Sequence, residues 1–217
     1  MRKKIVVVSF IVLLTLAGFI AFKTINKEAT ALNDSFTKEF IEEEWVEDDF
    51  HLFQSKTGQY RMLFPDQFQM VSDPPEFYGR RGSSYEHWLG LLRDEGINYS
   101  FKLTYTNSEA NFVKTDLNSM LRNFAYDNQY EELPTENKTI YHGSSRIVLE
   151  NGKGIIKDPT KNVANSFFGL VSDDQSNQLV EFYYSVDCFN EEHGCEIDAE
   201  QEYELALKIM NSIEFLD

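Results

Sequence analysis

Hydrophobic and polar residues alternate over Phe50-His51-Leu52-Phe53-Gln54-Ser55 and again over Tyr60-Arg61-Met62-Leu63-Phe64, with Lys56-Thr57-Gly58-Gln59 between them. Alternation on both sides of a Gly-containing turn predicts a hairpin. Pro65 closes the second run and Asp73-Pro74-Pro75 breaks the ladder soon after it, because proline cannot donate to a strand ladder. The same period predicts strands over Tyr85 to Leu92 and Ile97 to Thr106, joined by Arg93-Asp94-Glu95-Gly96, with Phe101, Leu103 and Tyr105 on one face. The period then changes. Val113, Leu117, Met120, Leu121 and Phe124 fall at helical spacing, and Pro134 ends that region. Strands are predicted again at Lys138 to Tyr141, Ser145 to Glu150, Gly154 to Lys157, Asn165 to Val171 and Gln178 to Val186, with Asn151-Gly152 as a tight turn. A last helix starts near Asp198, with Gln201 as its capping-box partner and an apolar stripe of Leu205, Ile209 and Ile213 reinforced by Ala206 and Met210. Two helices set along a run of antiparallel hairpins predict an α+β fold, an antiparallel sheet covered by helices.

Ahead of all this, Arg2, Lys3 and Lys4 precede an uncharged run from Ile5 to Phe22 that is 18 residues long. As a helix it would span about 27 Å, against a hydrocarbon thickness of about 30 Å. The flanking cations predict an N-terminus in the cytoplasm and everything after Phe22 outside, so the lipid bilayer is the first expected partner. The run exceeds the apolar stretch of a removable secretory signal, which favours an uncleaved signal anchor. The competing reading is cleavage after Ala31, at Ala29-Thr30-Ala31. Lipid attachment is not expected, since no Cys lies near the end of the run.

From Asn33 to Asp49 the sequence NDSFTKEFIEEEWVEDD places Phe36, Phe40, Ile41 and Trp45 at helical spacing among crowded acids, with Asp34 or Ser35 as a cap. This segment reads as a repulsive stalk, with a docking segment for a basic partner as the alternative. The expected organisation is therefore 1–22 cytoplasmic tip and transmembrane anchor, 23–49 acidic linker, and 50–217 extracytoplasmic domain. The 217 residues carry 20 Lys plus Arg against 36 Asp plus Glu, a formal net charge of −16. A polyanion would be repelled, so nucleic acid is not expected as a partner. With 42% hydrophobic residues, 14% of all residues being aromatic, the acidity belongs to the surface of a chain that can bury a real core.

The stretch Tyr60-Arg61-Met62-Leu63-Phe64-Pro65-Asp66-Gln67-Phe68 resembles the early strand of the Mog1/PsbP-like superfamily, and Ala206 to Phe215 resembles its closing helix, which runs into a Ser-hydrophobic-x-Phe segment. The likeness would cover Phe50 to Asp217, with Phe68 standing where a Trp is common. It implies an α/β/α sandwich serving as a binding or accessory module, often attached to a membrane or a membrane complex, and transfers no catalytic residue.

Nucleophilic catalysis needs a nucleophile held by a base. His51, His87, His142 and His193 have no Gly-x-Ser-x-Gly near them, and Gly82-Ser83-Ser84 and Gly143-Ser144-Ser145 read as turns. No catalytic residue, metal ligand or cofactor is assigned. Asp173-Asp174 and Asp198-Ala199-Glu200 lack calcium-loop spacing, and Arg80-Arg81 is the one compact basic spot of the outer part. Cys188 and Cys195 are expected to form a disulfide, as two cysteines outside the cytoplasm normally do. A metal site adding His193 would be one ligand short of a closed tetrahedron. The expected function is a non-enzymatic binding or accessory protein, single-pass in the cell membrane of the bacterial envelope, whose partner is an envelope or membrane protein. An extracytoplasmic hydrolase using a carboxylate pair is the alternative.

Overall fold

Two antiparallel sheets carry the fold in the computed structural model, which describes residues 30–72, 78–94, 96–188 and 196–216. The smaller sheet has the order β1-β2-β3-β13, with β1 at Ile41–Glu47, β2 at Phe50–Gln54, β3 at Tyr60–Pro65 and β13 at Glu214–Phe215. The larger sheet contains β4 (Gln69–Met70), β5 (Tyr78–Arg81), β6 (Tyr85–Asp94), β7 (Ile97–Asn107), β8 (Glu131–Pro134), β9 (Lys138–Glu150), β10 (Lys153–Lys157), β11 (Ser166–Asp173) and β12 (Gln178–Cys188). Its order is β10-β9-β11-β12-β7-β6-β4, with β5 also on β6 and β8 also on β9. Three α-helices complete the described residues: α1 (Thr30–Asn33), α2 (Val113–Phe124) and α3 (Ala199–Ser212).

The core lies between the sheets. Phe53, Tyr60, Met62 and Phe64 of the smaller sheet face Trp88, Phe101, Leu103, Phe182 and Tyr184 of the larger one, all buried. Phe101 sits at the centre, with ring centroids 5.0 Å from Phe68, 5.1 Å from Trp88 and 5.7 Å from Phe64. Helix α3 packs beside the smaller sheet, Ala206, Ile209 and Met210 facing inward. Asp198 caps it by accepting a hydrogen bond from the Gln201 backbone N–H at 3.2 Å. Gly169 of β11 lies under this helix, and a Cβ there would fall 2.1 Å from Met210 Sδ. On the outer face of the larger sheet α2 lays Met120 and Leu121 over Phe168, Leu170 and Leu179.

The expected α/β/α sandwich, a sheet between helical layers, is overturned. Strands make up 51% and helices 20% of the described residues, and the inner face of the larger sheet is covered mainly by the second sheet. The physical reason lies in the β2–β3 hairpin. Two strands alone cannot bury an apolar face. The hairpin gains β1 on one side and β13 on the other, and with them becomes a layer.

The acidic linker expected over 23–49 is corrected from residue 30 onward, 23–29 lying outside the described residues. From Thr30 onward the chain belongs to the domain expected to begin at Phe50, because Ala31, Thr37, Phe40 and Ile41 are buried. The expected helix over 33–49 is a 3-10 turn, Thr37–Glu39, followed by β1. Asp34 Oδ1 accepts from the Thr37 backbone N–H at 2.7 Å and from its hydroxyl at 2.6 Å, which makes the expected Asp34 cap a turn cap. Glu42, Glu43, Glu44 and Glu47 then line an edge strand, where charge discourages pairing with another chain. Gly143-Ser144-Ser145, expected as a turn, lies inside the single 13-residue strand β9, and Gly143 is required there because a Cβ would meet the Phe168 ring at 2.6 Å. No helix among the described residues is long and apolar enough to cross a membrane, and Ile5 to Phe22, where the transmembrane anchor is expected, lies outside them.

Candidate functional site

Two polar constellations interrupt the apolar interior. The first is centred on Glu86, which the alternation of β6 points inward on the same face as Trp88. Glu86 is completely buried, and its two oxygens accept from Ser55 Oγ at 2.6 Å, Tyr60 OH at 2.8 Å, the Lys56 N–H at 3.0 Å and Tyr78 OH at 3.2 Å. Trp88 Nε1 donates to Tyr60 OH at 2.9 Å. Burial first, then the facing Glu86, drives the Tyr60 phenol far above its ordinary range, and the same causes push Tyr78 up to about 12. The network fastens the β2–β3 turn to the larger sheet. Its acceptors are all taken internally, so it holds the two layers together and offers nothing to a substrate.

The second constellation opens to solvent. At one end of the sandwich the turn at Asp49, the loop after β3, the adjoining ends of β6 and β7 and the first turns of α3 converge on a cleft of about 340 Å³. Its apolar wall is built from Phe50, Phe68, Leu92 and Leu205, with Tyr99 and Tyr184 beside them. Asp49, Asp66, Asp94 and Glu202 supply its charge. Asp49 has a φ of 64°, and its carbonyl accepts from the Asp66 N–H at 2.9 Å. His51 Nε2 lies 2.8 Å from Asp66 Oδ1 and fixes that carboxyl from behind, with the ring fully buried. Tyr184 OH donates to Glu202 Oε2 at 2.5 Å. Burial, with the nearby Asp198 charge, raises the Glu202 carboxyl above its ordinary value against the opposing Tyr184 bond. Tyr99 is raised by burial and by Glu202 and Asp94.

Among the described residues no Lys or Arg lines this cleft, and neither does any Ser, Thr or Cys. An apolar wall edged by carboxylates can receive a cation carried on an apolar stem.

The other candidates read from the sequence scatter across the fold, as their separate strands dictate. Arg80 and Arg81 end β5, where Arg80 donates to the Lys56 carbonyl and so braces the same turn as Glu86. His142 Nδ1 lies 2.6 Å from Tyr203 OH, and burial lowers its pKa. Asn151-Gly152 is the expected tight turn, with φ of 52° and 75°. Cys188 ends β12 and is not a free thiol, while Cys195 and His193 lie outside the described residues. Among the described residues no group of three or more His, Cys, Asp or Glu is placed to hold a metal. Sequence reasoning missed Glu86, although an acid on the inward phase of β6 was the available signal. It also missed the cleft, for which no local signal exists, since several separate segments build it.

The two stretches that carry the likeness to the Mog1/PsbP-like superfamily meet in space. β13 pairs with β3, Glu214 opposite Arg61 and Phe215 opposite Tyr60. Arg61 grips the Glu214 carboxylate through Nε at 2.7 Å and Nη2 at 2.9 Å, and Ser212 Oγ accepts from the Leu63 N–H at 2.9 Å. The closing helix thus joins the early hairpin through its tail strand. Residues 27–214 match the family described as "Putative lipoprotein YvcA", labelled YvcA_Mog1p, and the chain belongs to that family. The curated protein "Putative lipoprotein YvcA" of Bacillus subtilis (strain 168) is 25% identical over 240 aligned residues, covering 99% of this chain and 97% of that protein. No solved structure matches. Kinship with a lipoprotein family fits an extracytoplasmic, envelope-associated protein.

Proposed function

We propose that this chain is a membrane-attached, extracytoplasmic accessory protein of the bacterial cell envelope that binds a partner and carries out no catalysis. The relative is named a lipoprotein, but in this sequence neither cysteine precedes position 188. Attachment here falls to the uncharged Ile5 to Phe22 run, with the domain outside.

The observation that carries this reading is the packing of Ala31. Ala31 is fully buried, and its N–H donates to the Asp66 carbonyl at 2.8 Å, so it pins the loop that forms the cleft. Cleavage after Ala31 would remove that pin together with half of α1. This packing favours retention of Ala31 over the secreted alternative cleaved after it. The cleft, with carboxylates and aromatics but no hydroxyl or thiol nucleophile of Ser, Thr or Cys among its described residues, supports binding over catalysis. A carboxylate-pair hydrolase is the competing class, and turnover of a substrate lost on Glu202→Gln would establish it.

Cys188 and Cys195 complete the proposal as a structural link between the end of β12 and the approach to α3. Closing a loop of about 8 residues is worth roughly 2.5 kcal/mol from chain entropy.

Fractionation tests the attachment. The protein is expected to remain with membranes after alkaline carbonate washing and to be released by detergent. Appearance in the carbonate supernatant would refute it.

A further inference from the structure

We propose that the cleft between Asp66 and Glu202 docks the lysine or arginine side chain of a basic segment of a partner protein. The inference rests on the binding function and names what is bound.

The cleft's chemistry is one-sided. Four carboxylates stand around an apolar wall, and among the described residues no cationic side chain lines it. Burial raises the proton affinity of Glu202, as expected for a carboxylate whose charge no neighbouring cation offsets. A long cationic side chain answers both demands, since its methylene stem covers apolar surface while its head meets carboxylate and ring faces. A volume of about 340 Å³ is at the small end for ligand sites of about 300–1,000 Å³, and suits a single side chain.

The protein already shows this recognition at the rim of the same cleft. Lys208 Nζ sits 4.2 Å from the centroid of Phe50, a wall residue, and 2.6 Å from Glu47 Oε1. An ammonium held between a ring and a carboxylate recurs at Lys56, which lies 4.8 Å over the Phe40 ring and 3.7 Å from Glu39. Tyr184, Glu202, Phe68 and Asp66 line the same cleft. Charge along the approach agrees. Edge strand β1 presents Glu42, Glu43 and Glu44 to solvent and leads through Glu47 to Phe50, its pairing partner on β2. A basic segment following that edge would be steered toward the cleft.

The test uses the full chain in non-ionic detergent micelles and calorimetric titration at about 0.15 M salt, one Debye length being about 8 Å there. The probes are an amidated Gly-Lys-Ser-Lys-Gly peptide, its acetyl-lysine counterpart, its arginine counterpart, and free cadaverine. The lysine and arginine peptides are expected to bind at least about tenfold more tightly than the acetylated one. Glu202→Gln should weaken that binding about tenfold, while Glu43→Gln, which removes the same charge from an exposed strand position, should change it less than about twofold. Gln at position 202 still accepts from Tyr184, and a melting temperature within about 2 °C of the parent confirms that this variant is folded. Equal binding of the acetylated peptide, equal loss in both variants, or no binding at millimolar peptide would overturn the proposal. Cadaverine binding as tightly as the peptide would overturn it in favour of a small-amine site. These outcomes are independent of carbonate extraction, so a failed cleft leaves the membrane attachment standing and a failed attachment leaves the cleft standing.

Discussion

Glu86→Ala is expected to destabilise the domain by about 4 kcal/mol, a large part of a typical total of about 5–15 kcal/mol. The substitution removes the acceptor for Ser55, Lys56, Tyr60 and Tyr78 at once. Each stranded donor that stays dry costs about 1–3 kcal/mol, and the sum is reduced because the β2–β3 turn can loosen and admit water. The effect should be graded. Tyr78→Phe removes a bond of 3.2 Å from a partly exposed phenol and should cost no more than about 1 kcal/mol. Thermal unfolding followed by circular dichroism reads both. With a shift of about 2–4 °C per kcal/mol for a domain of this size, Glu86→Ala should lower Tm by about 8–16 °C. A loss under about 1 kcal/mol would mean that the network does not bind the two sheets together.

Phe101→Ala should cost a comparable amount by another mechanism. Phe101 is fully buried and its ring meets Phe64 and Phe68 from one side and Trp88 and Phe182 from its own sheet. Gly90 leaves the space that this ring fills, since a Cβ there would come within 2.7 Å of Phe101 Cε1. Removing the ring loses its burial and leaves a cavity that surrounding aromatics cannot collapse into, about 3–5 kcal/mol for such a change. Phe101→Leu should recover more than half of that. Equal stability of the Ala variant and the parent would contradict a core formed between two sheets.

How much of this was legible in the chain depends on which forces act locally. The β2–β3 hairpin, β6 with β7, α2 and α3 follow from periodicity, because in each the apolar phase matches a buried face. The Asp198 cap was readable for the same reason, since donor and acceptor are three residues apart. β1 was not readable, because glutamates on an exposed edge and Phe36, Phe40 and Ile41 turning inward through a 3-10 turn imitate a helical stripe. The layer arrangement was out of reach because β13 is two residues long and exists only through its pairing with β3. Of the two polar constellations, Glu86 left a trace as an acid on an inward phase. The cleft left none, since His51 behind Asp66 and Tyr184 against Glu202 are tertiary contacts between segments that nothing in the sequence connects.

Membrane attachment of the domain is tested most directly by the intact, unreduced mass of the protein extracted by detergent from carbonate-washed membranes. Attachment through the uncharged Ile5 to Phe22 run predicts the mass of the uncleaved 217-residue chain, less the hydrogens lost on forming one disulfide, with no added acyl or diacylglyceryl mass. A chain beginning at Leu32, or one carrying a lipid, would contradict it.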